Sequence, residues 1–161
     1  MNIKTGYLYH IKDEFFSKLS NHGLMINHEN GGARPTYLTI KDNDILWFIP
    51  LSSKVNKYKK IINSKMKKHG ACSTILIENI LGKECAILIQ NAFPTIEKYV
   101  ERYHLKNNMP AKVSYKTKNS IIICFKYTME LKKHGIDLFF TNIDEIKKIM
   151  ESELNNIMVT S

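Results

Sequence analysis

Residues 34–51 have the sequence pattern of a β-hairpin. Arg34–Ile40 has strand composition, Lys41–Asp44 is a turn cluster, and Ile45–Ile49 is an apolar run that ends at Pro50. Aromatic and β-branched residues favour strands, whereas Asp, Asn and Pro favour turns and strand ends. Because strands joined by so short a turn pair antiparallel, this segment is predicted to form a β-hairpin.

The hairpin also predicts which side chains meet at its open end. If Ile40 faces Ile45, counting outward brings Arg34 opposite Leu51, with about 5 Å between the two backbones. Three polar residues follow directly on Leu51: Ser52, Ser53 and Lys54. We therefore expect a guanidinium, two consecutive hydroxyls and an ammonium group to lie close together.

The rest of the chain favours strands in its first half and helices in its last third. Before the second hairpin the predicted elements are a first strand within Ile3–Ile11, a short helix at Asp13–Leu19, a polar loop over 26–33, and an amphipathic helix from Val55 to Met66 that ends at His69-Gly70. The second hairpin covers Ser73–Gln90. It is followed by one or two helical turns in Thr95–Tyr103 and by helices at Asn119–His134 and Ile143–Met158. Segregated elements indicate an α+β fold. We predict one domain over residues 1–161, in which C-terminal helices pack against a strongly bent antiparallel sheet or partly open β-barrel.

Positive charge is concentrated in one part of the sequence. The net charge is +9, but a lysine-rich, asparagine-rich composition with two arginines also arises from codon drift in an AT-rich genome. Clustering is more informative, because seven lysines and no acidic residue lie between Leu51 and Gly70. The helix there is either a solvated surface or a track for RNA phosphates, with Tyr58 in the core or stacked on a base. The candidate RNA-binding residues are Lys57, Tyr58, Lys59, Lys60, Lys65, Lys67 and Lys68.

Several classes of protein lose support because their motifs are absent. The sequence has no GxxxxGK[ST], GxGxxG, HExxH, GxSxG or CxxC motif. Its apolar runs are shorter than the roughly 18 residues of a membrane helix, and its first residues lack a signal-peptide core. We expect a cytoplasmic protein with no membrane partner and no cofactor.

The cluster at the open end of the hairpin suits a phosphodiester. Arg34 and Lys54 could stabilise negative charge, Ser52 and Ser53 could hold nonbridging oxygens, and His28 or a lysine could move protons. The same residues would also suit phosphate binding without cleavage, or a serine cap at a strand end. Asp42 and Asp44 lie at the far end of the hairpin and Glu29 stands alone, so a metal site is not predicted. Metal-free cleavage would need the 2′-hydroxyl of RNA as nucleophile.

Three motifs resemble one known family over essentially the whole chain. They are Tyr7-Leu8-Tyr9-His10-Ile11, Arg34-Pro35-Thr36-Tyr37-Leu38-Thr39-Ile40 and Ile49-Pro50-Leu51-Ser52-Ser53-Lys54. Together with the helical C-terminal third, they are similar to the toxins of type III toxin–antitoxin systems, most closely the CptN branch of the ToxN and AbiQ family. The resemblance implies a compact barrel related to MazF-like endoribonucleases.

The resemblance further implies a reaction and partners. It implies metal-independent cleavage of cellular RNA that leaves a 2′,3′-cyclic phosphate and a 5′-hydroxyl. A small repeated antitoxin RNA, folded as a pseudoknot, would inhibit the toxin in a cyclic protein–RNA assembly that serves phage defence or plasmid maintenance. The family's catalytic hydroxyls match Ser52 and Ser53, and its basic residue on the preceding strand matches Arg34 or a close neighbour.

The chain departs from the family pattern at one position, directly after the two serines. In family members a proline often separates the two hydroxyl residues from the lysine that follows. In this chain Lys54 follows Ser53 directly, so either Lys54 or Lys57 could correspond to the family's lysine. His28 is no part of the resemblance.

Two other functions remain open. A non-catalytic RNA-binding module could use the same groove. A DNA-binding regulator is disfavoured, because acidic residues outnumber lysines in 141–161.

Overall fold

A computed structural model describes residues 1–160. The chain forms four α-helices and eleven strands in this range. The helices are α1 (Asp13–Lys18), α2 (Val55–His69), α3 (Tyr115–Lys133) and α4 (Ile143–Thr160). The strands are β1 (Leu8–Ile11), β2 (His28–Glu29), β3 (Gly32–Ala33), β4 (Thr36–Asp42), β5 (Ile45–Ser52), β6 (Ile75–Ile80), β7 (Lys83–Leu88), β8 (Phe93–Thr95), β9 (Val100–Tyr103), β10 (Leu105–Lys106) and β11 (Met109–Pro110).

Seven of these strands form an antiparallel sheet in the order β6-β7-β5-β4-β1-β9, with β8 beside β5. One edge of β5 has two partners in succession, since Leu46–Phe48 pair with β8 and Leu51–Ser52 pair with β7. Pro50, which has no N–H to donate, lies between the two pairings. The sheet is open, with no closed barrel among residues 1–160, and the predicted α+β class is confirmed.

Aromatic side chains fill the core between the sheet and the C-terminal helices. Phe48 stacks on Phe93, and Trp47 packs against Phe125 of α3. Ile146 and Met150 on one face of α4 are fully buried, as helical spacing predicts. Burying these apolar surfaces is the main source of stability.

The central hairpin is confirmed, but its register differs from the prediction. Ile45 pairs with Asp42 rather than Ile40, so the turn is only the two residues Asn43-Asp44. A bulge between Leu38 and Ile40 then shifts the register by one residue. Beyond the bulge Thr36 pairs with Pro50, so continuing the same register places Arg34 beside Ser52 rather than Leu51.

Other boundaries differ where short-range signals are weak. The first strand is β1 alone, and the predicted loop at 26–33 contains the small hairpin of β2 and β3. The segment 95–103 has one 3-10 turn at Glu97–Tyr99 and then continues as β9. Helix α3 starts at Tyr115 because the Ser114 side chain accepts a hydrogen bond from the Thr117 N–H and caps it. None of the helices within residues 1–160 combines the length and apolarity of a membrane span.

Candidate active site

The carboxylate of Glu29 is the centre of the candidate site. Its Oε2 accepts hydrogen bonds from Arg34 Nη1 at 2.8 Å and from Ser52 Oγ at 2.7 Å. Its Oε1 accepts from the Ser53 N–H at 2.8 Å and from Ser53 Oγ at 2.5 Å. The open end of the central hairpin therefore does bring Arg34 to both serines, and a carboxylate from β2 joins them.

Arg34 is fixed by its protein contacts. The residue is 7% exposed, its Nε donates to the Ile26 carbonyl at 3.0 Å, and its Nη1 donates to the Leu51 carbonyl at 2.8 Å as well as to Glu29. No acceptor within residues 1–160 is bonded to Nη2. Nε and Nη1 of the guanidinium are thus held by protein acceptors, and Nη2 is the nitrogen that remains to donate to a ligand.

The two serine hydroxyls differ in exposure and are oriented by Glu29. Ser52 is buried, donates to Glu29 and accepts from the Lys54 N–H at 3.2 Å. Ser53 is exposed, donates to Glu29 and accepts from Asn30 Nδ2 at 3.2 Å. Both hydroxyl protons are committed to the carboxylate, so the expectation that the serines donate to phosphate oxygens does not fit this arrangement. Ser53 Oγ instead has a lone pair available to accept a hydrogen bond.

These residues line a cavity of about 340 Å³, within the range of ligand pockets. Its polar wall consists of Glu29, Asn30, Arg34, Ser52, Ser53, Lys83, His104 and Lys106. Three cationic side chains face one carboxylate there, so the cavity carries an excess of positive charge and favours anions. Lys106 also donates to the Leu81 carbonyl, which fixes its position at the rim.

Two predicted catalytic residues, Lys54 and His28, lie outside this cavity, as does Lys57, the alternative to Lys54. The lining contains neither Lys54 nor Lys57, and Lys83 and Lys106 supply the cationic groups instead. His28 Nε2 is bound to Asp13 Oδ1 at 2.8 Å on the exposed surface. The histidine in the cavity is His104, which sequence reasoning misses because the pattern of residues 95–103 predicts helical turns rather than the strand that delivers it.

The helix predicted in the lysine-rich segment is confirmed as α2, and the candidate RNA-binding residues on it differ in exposure and contacts. Tyr58 is 6% exposed and packs in a small core with Ile75 and Leu88, so it cannot stack on a base. Lys65 donates to Thr74 and Gln90, and Lys59 pairs with Glu84. Four lysines remain exposed with no acidic partner in the described part of the chain: Lys57, Lys60, Lys67 and Lys68.

The state of Glu29 predicts a pH dependence of stability. Burial raises the pKa of this carboxyl, but hydrogen bonds from Ser53, Ser52 and Arg34 outweigh burial and lower the pKa to about 2. Because the pKa is lower in the folded protein than in the unfolded chain, the ionised carboxylate stabilises the fold at pH values above 4.5, the pKa of the unfolded chain. This contribution to the free energy of unfolding is lost as the pH falls towards 2. Urea unfolding of the protein and of Glu29→Gln should therefore give a difference in free energy that shrinks between pH 7 and pH 3. The same difference at both pH values would contradict the assignment.

Comparison with known proteins identifies the fold. No protein-family model and no curated protein matches the chain. The structure of AbiQ, a lactococcal anti-phage endoribonuclease of the type III toxin–antitoxin system, superimposes with a TM-score of 0.72 at 16% identity over 94% of this chain and 99% of AbiQ. A bacterial type III toxin that is inhibited by a non-coding RNA pseudoknot superimposes with a TM-score of 0.63 at 11% identity over 93% of this chain and 98% of its own. The chain shares the fold of these two toxins.

Within this fold the cavity lies where β5 ends and α2 begins. No group of three or more His, Cys, Asp or Glu side chains within residues 1–160 is arranged to hold a metal ion. The one carboxylate at the site already accepts four hydrogen bonds. The arrangement can bind an anionic group, present a hydroxyl acceptor to it and surround it with cations.

Proposed function

We propose that this protein is the endoribonuclease toxin of a type III toxin–antitoxin system. The observation that carries the proposal is the cationic cavity at the end of β5, where Ser53 and Arg34 meet on Glu29. The type III toxin fold, which AbiQ shares, supports the same activity. Membership of the CptN branch is a prediction from the sequence motifs.

In the proposed reaction the 2′-oxygen of RNA attacks the adjacent phosphorus and the bond from phosphorus to the 5′-oxygen breaks. The products are a 2′,3′-cyclic phosphate and a 5′-hydroxyl, so the proton leaving the 2′-oxygen is balanced by one gained at the 5′-oxygen. Ser53 Oγ accepts a hydrogen bond from the 2′-hydroxyl and aligns it for attack. Arg34 Nη2, Lys83 and Lys106 stabilise the charge on the phosphoryl group.

The electrostatics of the cavity favour a reaction without a metal ion. Arg34, Lys83 and Lys106 supply the positive charge that Mg²⁺ supplies in metal-dependent nucleases. Their cations also repel a divalent ion from the single carboxylate of Glu29. RNA, which carries its own nucleophile, is therefore the expected substrate.

We further propose that an antitoxin RNA pseudoknot inhibits the toxin, as a pseudoknot inhibits the structural relative. The four exposed lysines of α2 would hold its phosphates, and one strand would enter the cavity at Ser53. A repeated antitoxin RNA would then close toxin and RNA into a cyclic assembly.

The decisive experiment is cleavage of total RNA by the purified protein in the presence of EDTA. We expect cyclic-phosphate 3′ ends and 5′-hydroxyl ends, and loss of cleavage when the antitoxin RNA is added. Tight RNA binding with no new ends would instead identify a non-catalytic RNA-binding module. Cleavage that disappears in EDTA would contradict the metal-free reaction.

The role of α2 can be tested by the salt dependence of antitoxin binding. Each lysine removed from an RNA phosphate lowers the slope of log K against log salt by about 0.7 to 0.9. Replacing Lys57, Lys60 and Lys67 together by glutamine should therefore weaken binding and reduce the slope by about two to three. The matched control is the triple replacement of Lys116, Lys126 and Lys148, three exposed lysines on α3 and α4. An equal slope in both triple variants would mean that α2 makes no special contact with the RNA.

A further inference from the structure

His104 forms part of the wall of the cavity that contains Ser53 and Arg34, and it is paired with His10 behind it. His104 follows β9, and its main chain is bound on both sides, since its N–H donates to the Leu8 carbonyl and its carbonyl accepts from the Ala111 N–H, each at 2.8 Å. Its Nδ1 lies 2.8 Å from Nε2 of His10 on β1. Because the His104 side chain lines the cavity, its remaining nitrogen, Nε2, is the one available to a ligand.

The surroundings of His10 determine where the shared proton lies. His10 is 4% exposed and its Nδ1 has no hydrogen-bond partner within residues 1–160. A buried N–H without an acceptor is rarer and more costly than a buried acceptor without a donor. Nδ1 of His10 is therefore unprotonated, and its Nε2–H donates to Nδ1 of His104. A neutral His104 ring then carries its proton on Nε2.

Both imidazoles are neutral at physiological pH. Burial, with a contribution from the nearby Arg102, lowers the pKa of His104, and the same causes together with His104 lower the pKa of His10 to about 4. The cations that line the cavity, Arg34, Lys83 and Lys106, also oppose a further positive charge there. The ring of His104 thus offers an uncharged N–H donor to the cavity.

We propose that His104 is a catalytic residue whose Nε2–H donates a hydrogen bond to the scissile phosphoryl group, and that His10 is the positioning residue that sets its tautomer. This inference rests on the proposed RNA cleavage and adds to it a donor that does not transfer its proton. Such a donor strengthens its hydrogen bond as negative charge develops on the phosphorane oxygens, and it needs no rearrangement to do so. No bond to His104 forms or breaks.

The proposal is tested with substitutions that separate donation from proton transfer. Glutamine can place an amide N–H close to the position of Nε2 but cannot act as an acid or base, whereas alanine removes the donor. We expect His104→Ala to lower kcat about 100-fold with little change in KM, which is the effect of losing one oriented donor. His104→Gln should retain cleavage to within about tenfold of the wild-type protein.

The positioning role of His10 is tested in the same way. In His10→Gln the side-chain amide can still donate to Nδ1 of His104, whereas His10→Leu cannot. We expect His10→Gln to restore most of the kcat that His10→Leu loses, with thermal unfolding measured for both to confirm that they fold. Equal kcat values for two folded His10 variants would overturn the positioning role.

Each result for His104 either supports or overturns the inference. If the wild-type protein does not cleave RNA, the proposed function fails and the inference fails with it. If the wild-type protein cleaves RNA and His104→Ala cleaves equally well, only the inference fails. If His104→Gln is folded but as impaired as His104→Ala, the residue transfers a proton and the donor role is overturned.

Discussion

Glu29→Ala is expected to abolish detectable toxicity and to lower RNA cleavage about a thousandfold, because three functional groups depend on this one carboxylate. Ser52, Ser53 and Arg34 all donate to Glu29. Removing it frees the serine protons to rotate and leaves the Arg34 guanidinium buried without a counter-ion. A buried charge that loses its partner costs about 3 kcal/mol or more, so we also expect a lower free energy of unfolding in urea.

A double variant separates the two effects of Glu29. In Glu29→Gln/Arg34→Met neither buried charge remains, so the free energy of unfolding should exceed that of Glu29→Ala, and the remaining deficit reflects the Ile26 and Leu51 carbonyls that lose Arg34 as donor. Cleavage should stay lost, because the oriented hydroxyls and the cation are both absent. The matched control is Glu84→Ala, which breaks an exposed pair with Lys59 and should cost less than about 1 kcal/mol. A folded Glu29→Ala protein with wild-type cleavage would remove Glu29 from the site.

Ser53→Ala is expected to lower kcat for RNA cleavage by about 100- to 1000-fold and to relieve growth inhibition, while antitoxin RNA still binds. The expectation follows from the position of Ser53, which is the exposed hydroxyl of the pair and has a free lone pair on the side of the cavity. Its loss removes the acceptor that aligns the 2′-hydroxyl but leaves the cationic wall intact. Single-turnover cleavage and filter binding with the same RNA measure the two properties separately.

Two serine controls make this result specific. Ser64→Ala alters an exposed serine on α2 and should leave cleavage unchanged. Ser52→Ala should reduce stability, since Ser52 is buried and bonded to both Glu29 and the Lys54 N–H. Undiminished toxicity of Ser53→Ala in cells that express it at the wild-type level would exclude Ser53 from the mechanism.

Patterns within a few residues predict much of the fold. The central hairpin, α1, α2, the second hairpin and α4 all lie near their predicted positions, since each has clear periodicity and a turn or cap signal. The predicted register of the hairpin differs from the observed one because Asn43-Asp44 alone form the turn, so that Ile45 pairs with Asp42; the bulge at Thr39 then reduces the difference from two residues to one. The helical prediction for residues 95–103 is wrong in its second half because a strand of four residues, β9, has too short a pattern to be distinguished.

Only the part of the candidate site that lies on the central hairpin can be predicted from the sequence. Arg34, Ser52 and Ser53 follow from counting along two paired strands, whereas Glu29 and His104 come from segments that reach the site through long-range packing. Glu29 has no carboxylate near it in the sequence, and a lone carboxylate does not predict a metal site. In the structure this single carboxylate orients the hydroxyls of Ser52 and Ser53. Lys83 is the first residue of β7, directly after the turn of the second hairpin, and only the pairing of β7 with the end of β5 reveals that this end of the hairpin faces the cavity.

The change of partners along β5 makes the end of this strand hard to distort, which bears on how the proposed toxin would be inhibited. Because this strand pairs with β4 over Ile45–Pro50 and, on its other edge, with β8 and then with β7 up to Ser52, distorting the strand that carries the two serines would break pairing to several neighbours at once. An inhibitor gains little by bending such a strand. If the proposed antitoxin RNA inhibits this protein, we expect it to fill the cavity of the active form, so that release of the RNA would leave the site ready to cleave without refolding.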